Sequence, residues 1–332
     1  MRGLASTRAQ DVVALVALAV LSLGGLRLMH ERALADADRH FHFAVSRDAA
    51  QRGRLTVIPQ VEDIGWAESF VDKEYLFHVL TAAGWRLGER RGVEAVAMGL
   101  ALLVVGLLYA AARRFAGPGP SAVLVAAFVA SPPFIYRLAL LRPHLFAIAA
   151  VLLLVRALLG KEAPASRPGW PEVLGAGAGL VFALGYHAAY VPLAVLGVFL
   201  VVDARARWPV AAAALVGLAV GTVLNPYFPD TLRVTWMTLT IATALPSSDT
   251  LGVELLPLDV KTLVTRYTVP LALAGVAMVL AVRGRAAPGA RLRFAVVALA
   301  LGFWVLCGAG ARRSTRCPSR WWRRRRCCRW WP

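Results

Sequence analysis

Long apolar stretches separated by short polar connections recur along almost the whole chain. Most have about 17–20 residues, the length that crosses roughly 30 Å of hydrocarbon as a helix. Strands of a membrane barrel would alternate apolar and polar residues, and these stretches do not alternate. The pattern predicts an all-α, polytopic transmembrane protein with about 8–10 membrane helices. The stretches lie at residues 11–29, 93–112, 121–140, 143–160, 173–186, 188–202, 209–224, 267–283 and 294–308.

The polar segments divide the chain into a membrane domain, residues 1–311, and a tail, residues 312–332. The first apolar stretch is long for the core of a signal peptide and lacks a clear cleavage site, which favours a retained anchor. The large hydrophilic loop at residues 30–91 follows it. Within this loop the run FVDKEYLFHVL predicts an amphipathic helix at the membrane interface.

The tail reads RRSTRCPSRWWRRRRCCRWWP, which neither packs a core nor resembles a linker. One interpretation is a basic tail that lies on anionic lipid. We favour a frameshift near codon 313, because moving the frame of GC-rich Arg, Trp and Cys codons by one base gives Ala, Val and Leu. Sequencing of the gene tests this. The cysteines, Cys307, Cys317, Cys327 and Cys328, do not form a disulfide or zinc pattern.

Composition agrees with a membrane protein: 58% of residues are hydrophobic and the mean hydropathy is +0.61. A soluble domain has about 45–50% apolar residues. The net charge of +18 is high enough to raise the question of nucleic-acid binding. However, nine arginines lie between Arg312 and Arg329, and most other basic residues flank apolar stretches. Membrane topology explains that distribution, so we expect no nucleic-acid partner.

The short predicted inner connections are rich in arginine, as the positive-inside rule requires, and the long predicted outer loops hold almost all the acidic residues. This predicts a cytoplasmic N-terminus in an inner (plasma) membrane of bacterial type, with the loop 30–91 on the extracytoplasmic face. The basic residues of the predicted inner connections are Arg113, Arg114, Arg156, Lys161, Arg167, Arg205, Arg207, Arg283, Arg285, Arg291 and Arg293.

The first outer loop opens with acidic and histidine residues in the run ERALADADRHFHFA. Asp36 and Asp38 follow directly after a membrane helix. Their carboxylates offer the hard oxygen atoms that Mg²⁺ or Mn²⁺ prefers as ligands. His40 and His42 follow them. The alternative is an ordinary acidic loop that faces water.

A second polar group, in the predicted amphipathic helix, holds Asp72, Lys73, Glu74 and His78. Glu74 and His78 are four residues apart and would share a helix face. The alternative is a solvated charged face. The density of ionisable side chains in seven residues makes this group a candidate site.

Further polar residues lie at other outer helix ends. Arg142 at a membrane boundary either snorkels or recognises a phosphate group. Three further residues have a purely structural alternative, as interfacial residues or as a helix stop: His187, Tyr190 and Asn225. Because all of them fall on one predicted membrane face, their convergence indicates a site.

This arrangement resembles the GT-C superfamily of membrane glycosyltransferases, which includes the oligosaccharyltransferase catalytic subunit and the protein O-mannosyltransferases. The resembling features are one membrane helix followed by an acidic outer loop (DADRHFHFA, then DKEYLFH), the short helices around Gly185-Tyr186-His187, and NPYFPD at the end of an outward helix. The resemblance spans residues 1–311. The sequence contains no WWDYG-like motif, and we expect the frameshift to account for the missing soluble C-terminal domain of the family.

The resemblance implies transfer of a sugar from a polyprenyl-phosphate donor to an acceptor, with membrane lipid and lipid-linked sugar as partners. It implies catalytic roles for Asp38, Asp72 and Glu74 and a phosphate contact for Arg142. The substrate-binding candidates are His40, Lys73, His78, Arg142, His187, Tyr190 and Asn225. A transporter or flippase, and a non-catalytic membrane scaffold, are the alternatives.

Overall fold

The computed structural model describes residues 2–34, 36–59, 66–160 and 169–243. This part of the chain folds into α-helices without a strand, which confirms the predicted fold class. The predicted stretches at 267–283 and 294–308, the four cysteines and the tail lie outside the described residues. The helices are α1 Arg2–Leu34, α2 Ala37–Arg52, α3 Tyr75–Ala112, α4 Pro118–Val129, α5 Pro132–Ala139, α6 His144–Gly160, α7 Trp170–Gly185, α8 Tyr190–Leu224 and α9 Asp230–Thr243.

Three helical segments in this part of the chain are long and apolar enough to cross a membrane: Thr7–His30, Tyr75–Ala112 and Arg207–Leu224. They identify an integral membrane protein of helical type. The predicted stretch 121–140 is not one straight helix, because α4 and α5 meet at an angle of 76°. Pro132 explains the break, since a residue before proline avoids the helical conformation, and Ser131 is extended with ψ 119°.

The α3 helix contains a sharp break at Gly88 and Glu89, where the backbone leaves the helical region. A Cβ added at Gly92 would overlap the carbonyl oxygen of Gly84. In a straight helix, residues eight apart are separated by about 12 Å along the axis. The first part of α3 therefore folds back against the second, which places residues 75–87 beside the predicted membrane stretch 93–112. The predicted loop 30–91 is thus helical at both ends.

The α8 helix also reverses direction. A Cβ added at Gly221 would lie 3.0 Å from the Cβ of Ala183 in α7. Because seven residues span at most about 25 Å, Tyr190 lies within about 30 Å of Gly221. Near the start of α7, a Cβ added at Gly175 would lie 3.0 Å from Cγ1 of Val210, so the first part of α8 runs back along α7 before the second part returns. A straight helix from Tyr190 to Gly221 would be about 46 Å long, so α8 doubles back. This agrees with the two separate apolar stretches, 188–202 and 209–224, that the sequence predicts.

Small residues allow α7 and the second part of α8 to pack closely. A Cβ added at Gly179 would overlap the carbonyl oxygen of Ala214, and one at Gly217 would overlap that of Ala176. Glycine and alanine at such positions let helix backbones approach in membrane proteins, where van der Waals packing replaces the hydrophobic effect.

Polar contacts between the helices lie at two opposite ends of the helical body. The arginine end is formed by Asp11, Tyr109, Arg113, Arg114 and Arg207, which bond to one another or to carbonyl oxygens in the last turn of α6. The other end includes Arg142, just before the first residue of α6. Since α6 has 17 residues, about 25 Å separate its two ends.

Candidate functional site

A chain of buried polar side chains lies at the end opposite the arginine end. Nδ1 of His78, in the first turns of α3, is 2.8 Å from Oδ1 and 2.9 Å from Oδ2 of Asp72. Its other ring nitrogen, Nε2, is 3.0 Å from Nδ1 of His42 in α2. All three side chains are buried, with 2–5% exposure. We call this region, with Glu74 and His187, the histidine end.

Helix α2 presents these groups because it packs lengthwise on α3. Its buried face includes Arg39, His42, Phe43 and Ser46, at the i, i+3, i+4, i+7 spacing of one helix side. The Ser46 hydroxyl donates to Oγ1 of Thr81 at 2.8 Å. These contacts fix the register that brings His42 opposite His78.

The segment before α3 positions the Asp72 carboxylate. Oδ1 of Asp72 accepts a hydrogen bond from the backbone N–H of Glu74 at 2.9 Å. This bond satisfies one of the N–H groups at the start of the helix. The Asp72 carboxylate therefore both orients the His78 ring and accepts a hydrogen bond from the backbone at the start of α3.

Glu74 faces His187, which lies in the link between α7 and α8. Oε1 of Glu74 and Nδ1 of His187 are 3.9 Å apart. Nδ1 of His187 is buried and has no hydrogen-bond partner within the described residues. The pKa of Glu74 is raised by burial above its ordinary value. Burial, with the charge of Lys73 nearby, lowers the pKa of His187 to about 3.

Burial lowers the pKa of His42 well below its ordinary value, and the charges of the nearby His78 and Arg142 lower it further. A neutral imidazole offers a lone pair to a proton or a metal ion. The histidine end thus combines a neutral histidine, a histidine oriented by a carboxylate and a buried carboxyl group. Such groups can transfer a proton or ligate a cation.

Arg142 joins the start of α2 to the start of α6. Its Nε and Nη2 atoms donate to the two carboxylate oxygens of Asp36 at 2.9 and 2.6 Å. The same Nη2 is 3.0 Å from Oδ2 of Asp38. The structure brings together the residues that the sequence assigned to metal binding and to phosphate, and it joins them as an ion-pair group. Their predicted ligand roles stay predictions.

The remaining predicted residues have different surroundings. His40 is exposed on α2, Tyr190 is 47% exposed, and Lys73 is half-buried. Asn225 is buried, and its Oδ1 accepts a hydrogen bond from the backbone N–H of Tyr227 at 3.0 Å. That contact agrees with the helix-stop interpretation of Asn225.

Sequence reasoning selected His40 and missed the central position of His42. The signal was the spacing of Arg39, His42, Phe43 and Ser46, which marks one face of a helix and leaves His40 outside it. Tyr227 was missed as well. Its hydroxyl donates to the carbonyl oxygen of Leu55 at 2.6 Å and ties the end of α8 to the first loop.

Three of these side chains are close enough to share one ion. One ligand atom from each of His42, Glu74 and His78 lies within 4.8 Å of the others. No protein-family model matches the chain, and neither a curated protein nor a solved structure is significantly similar to it. Conclusions about function therefore depend on the geometry of this end and on the sequence.

Proposed function

We propose that the chain is a membrane glycosyltransferase that moves a sugar from a polyprenyl-phosphate donor to an acceptor hydroxyl, on the extracytoplasmic face of a bacterial plasma membrane. One observation supports this most: Asp36, Asp38, Asp72, Glu74 and Arg142 lie at one end of an apolar helical body. Carboxylates and a guanidinium at that end support a site in which a lipid phosphate would meet a polar acceptor.

Asp38 is the carboxylate of this group that a substrate can reach, because its side chain is 54% exposed. As general base it would take the proton of the acceptor hydroxyl. The acceptor oxygen would then form a bond to the anomeric carbon of the sugar. The bond from that carbon to the phosphate oxygen would break, and polyprenyl phosphate would leave.

Arg142 supports the same mechanism, since a guanidinium can bind phosphate oxygens through two parallel hydrogen bonds. In the structure its partners are Asp36 and Asp38. A donor phosphate would compete with Asp38, the more exposed partner, and leave the Asp36 pair intact. Release of the Asp38 carboxylate would make it available as the base when the donor binds.

The test uses membranes that contain the full chain and radiolabelled polyprenyl-phosphate sugars, with release of polyprenyl phosphate as the measurement. We expect Asp38→Asn to lower the rate about 100-fold or more, because general-base catalysis contributes about 10²–10⁴-fold. Asp48→Asn is the matched control, since Asp48 lies on the same helix and pairs with the adjacent Arg47 at 2.8 Å.

Equal rates for the parent chain, Asp38→Asn and Asp72→Asn would remove the proposed catalytic assignment. Accumulation of labelled lipid in the opposite leaflet or the vesicle lumen, with no covalent product, would identify a flippase or transporter instead.

A further inference from the structure

We propose that His42, His78 and Glu74 bind a zinc ion at the histidine end. The site is distinct from the Asp36 and Asp38 pair, for which the sequence predicts Mg²⁺ or Mn²⁺. Zinc binding does not depend on the proposed transferase activity. It can therefore be tested without a transfer assay.

The distances suit one ion. Nε2 of His78 and Nδ1 of His42 face each other at 3.0 Å. Two nitrogens on a tetrahedral zinc, with bonds of about 2.0 Å, are roughly 3.3 Å apart. A small opening of the pair would admit the metal in place of the shared hydrogen. Glu74 completes a triangle of ligand atoms that spans 4.8 Å, and rotation of its side chain would bring the carboxylate inward.

The surroundings of His78 are those of a metal ligand. Its Nδ1 lies 2.8 Å from the Asp72 carboxylate, so the other ring nitrogen, Nε2, is the one directed at His42. A carboxylate that accepts the second ring N–H fixes the orientation of a metal-bound histidine and raises its basicity. Asp72 is thus a positioning residue for the site.

The donor set selects among cations. Two imidazole nitrogens and one carboxylate suit Zn²⁺, whereas Mg²⁺ and Ca²⁺ prefer oxygen ligands. Three protein ligands leave a fourth position for water or a substrate oxygen.

The experiment uses the full chain in detergent micelles, without a histidine tag, and with Cys307, Cys317, Cys327 and Cys328 replaced by serine. Those replacements remove the thiolate ligands that lie outside the described residues. After equilibration with buffered Zn²⁺, metal analysis is expected to give one zinc per chain. X-ray absorption is expected to show two imidazoles and no sulfur around the metal.

Variants assign the ligands. His42→Ala and His78→Ala should abolish stoichiometric zinc, and Asp72→Asn should weaken the zinc affinity by about 10–100-fold. His40→Ala is the matched control, since it removes an exposed histidine from the same helix and should leave the affinity unchanged. A shift of the melting temperature with Zn²⁺ is expected in the parent and in His40→Ala, and not in His42→Ala.

Two results would overturn the proposal. One is a cysteine-free parent chain that holds no zinc. The other is equal zinc affinity in the parent and His42→Ala. The metal content and the X-ray absorption of the cysteine-free parent are measured without any histidine variant. Misfolding of His42→Ala or His78→Ala would therefore not obscure the outcome.

Discussion

The two polar ends of the helical body use similar residue types in different ways. At the arginine end, Asp11 accepts from Tyr109 at 2.5 Å and from Arg113 at 2.6 Å, and both partners of the ion pair are about 30% exposed. At the histidine end, His42, Asp72 and His78 are buried and contact one another. The first arrangement completes helix ends, and the second concentrates titratable groups away from water.

This difference distinguishes structural polar groups from candidate functional ones. Arg114, which is exposed, donates to the carbonyl oxygen of Leu159 at 2.8 Å and satisfies a helix terminus with its charge near solvent. Arg207, which reaches the carbonyl oxygen of Leu158, is the buried exception at this end. Burial of several ionisable groups costs free energy that such capping does not require. A costly arrangement of this kind makes the histidine end a candidate functional site.

The largest effect on stability should come from breaking the Arg142 ion pair. Arg142→Ala leaves the Asp36 carboxylate, whose side chain is 7% exposed, without its two-bond partner. Loss of one partner of a buried pair costs about 3 kcal/mol of unfolding free energy or more. Denaturant titration of the full chain in mixed micelles measures that loss.

Arg113→Ala at the arginine end is the comparison. Asp11 stays hydrated there, so we expect a clearly smaller loss than for Arg142→Ala. The contrast between the two ends would be wrong if the two variants lost the same unfolding free energy.

A middle-sized effect is expected at the reversal of α3, which positions His78. Gly92→Ala would force its methyl group into the Gly84 carbonyl, and overpacking of this kind costs about 1–3 kcal/mol. Gly99→Ala is the matched control, because it lies on the same helix with open space around it. If the zinc affinity is measured as well, Gly92→Ala should weaken it and Gly99→Ala should not.

Equal stability of Gly92→Ala and Gly99→Ala would show that the two parts of α3 do not meet at Gly84. The position of His78 beside His42 would then need another explanation.

The sequence predicts the membrane helices and the sidedness of the polar residues better than it predicts the contacts within the histidine end. The membrane helices were predicted because apolar length is a local property, and the break at Ser131 had a local signal in the Pro132-Pro133 pair. Sidedness was also predicted, since polar residues at alternate connections share a membrane face. This is why Asp38, Asp72, Glu74 and Arg142 were chosen together.

The pairings within the histidine end could not be predicted in the same way. The contact of His42 with His78 depends on the reversal of α3 at Gly88 and on the register of α2, and both follow from tertiary packing. Within the loop 30–91 the sequence analysis predicts an amphipathic helix only at FVDKEYLFHVL, so the buried face of α2 is not separated from its exposed face. The choice of His40 rather than His42 follows from that omission.

The smallest effect we predict concerns Tyr227, which ties α8 to the first loop. Tyr227→Phe removes the hydrogen bond to Leu55 and should cost about 1 kcal/mol of unfolding free energy near neutral pH. Burial raises the pKa of Tyr227 from its ordinary value of 10.0 to about 12. The folded state therefore favours the neutral phenol, and the stability that this adds is present below pH 10 and lost as pH rises toward 12.

Comparison of unfolding free energies between the parent and Tyr227→Phe at several pH values tests this linkage. The difference should be constant up to about pH 10 and should shrink above it, since only the parent has a phenol to ionise at this position. A difference that stays constant to pH 12 would mean that the Tyr227 hydroxyl is solvated. The loop would then not be tied to α8 at Leu55, and the histidine end would be more open than its buried side chains indicate.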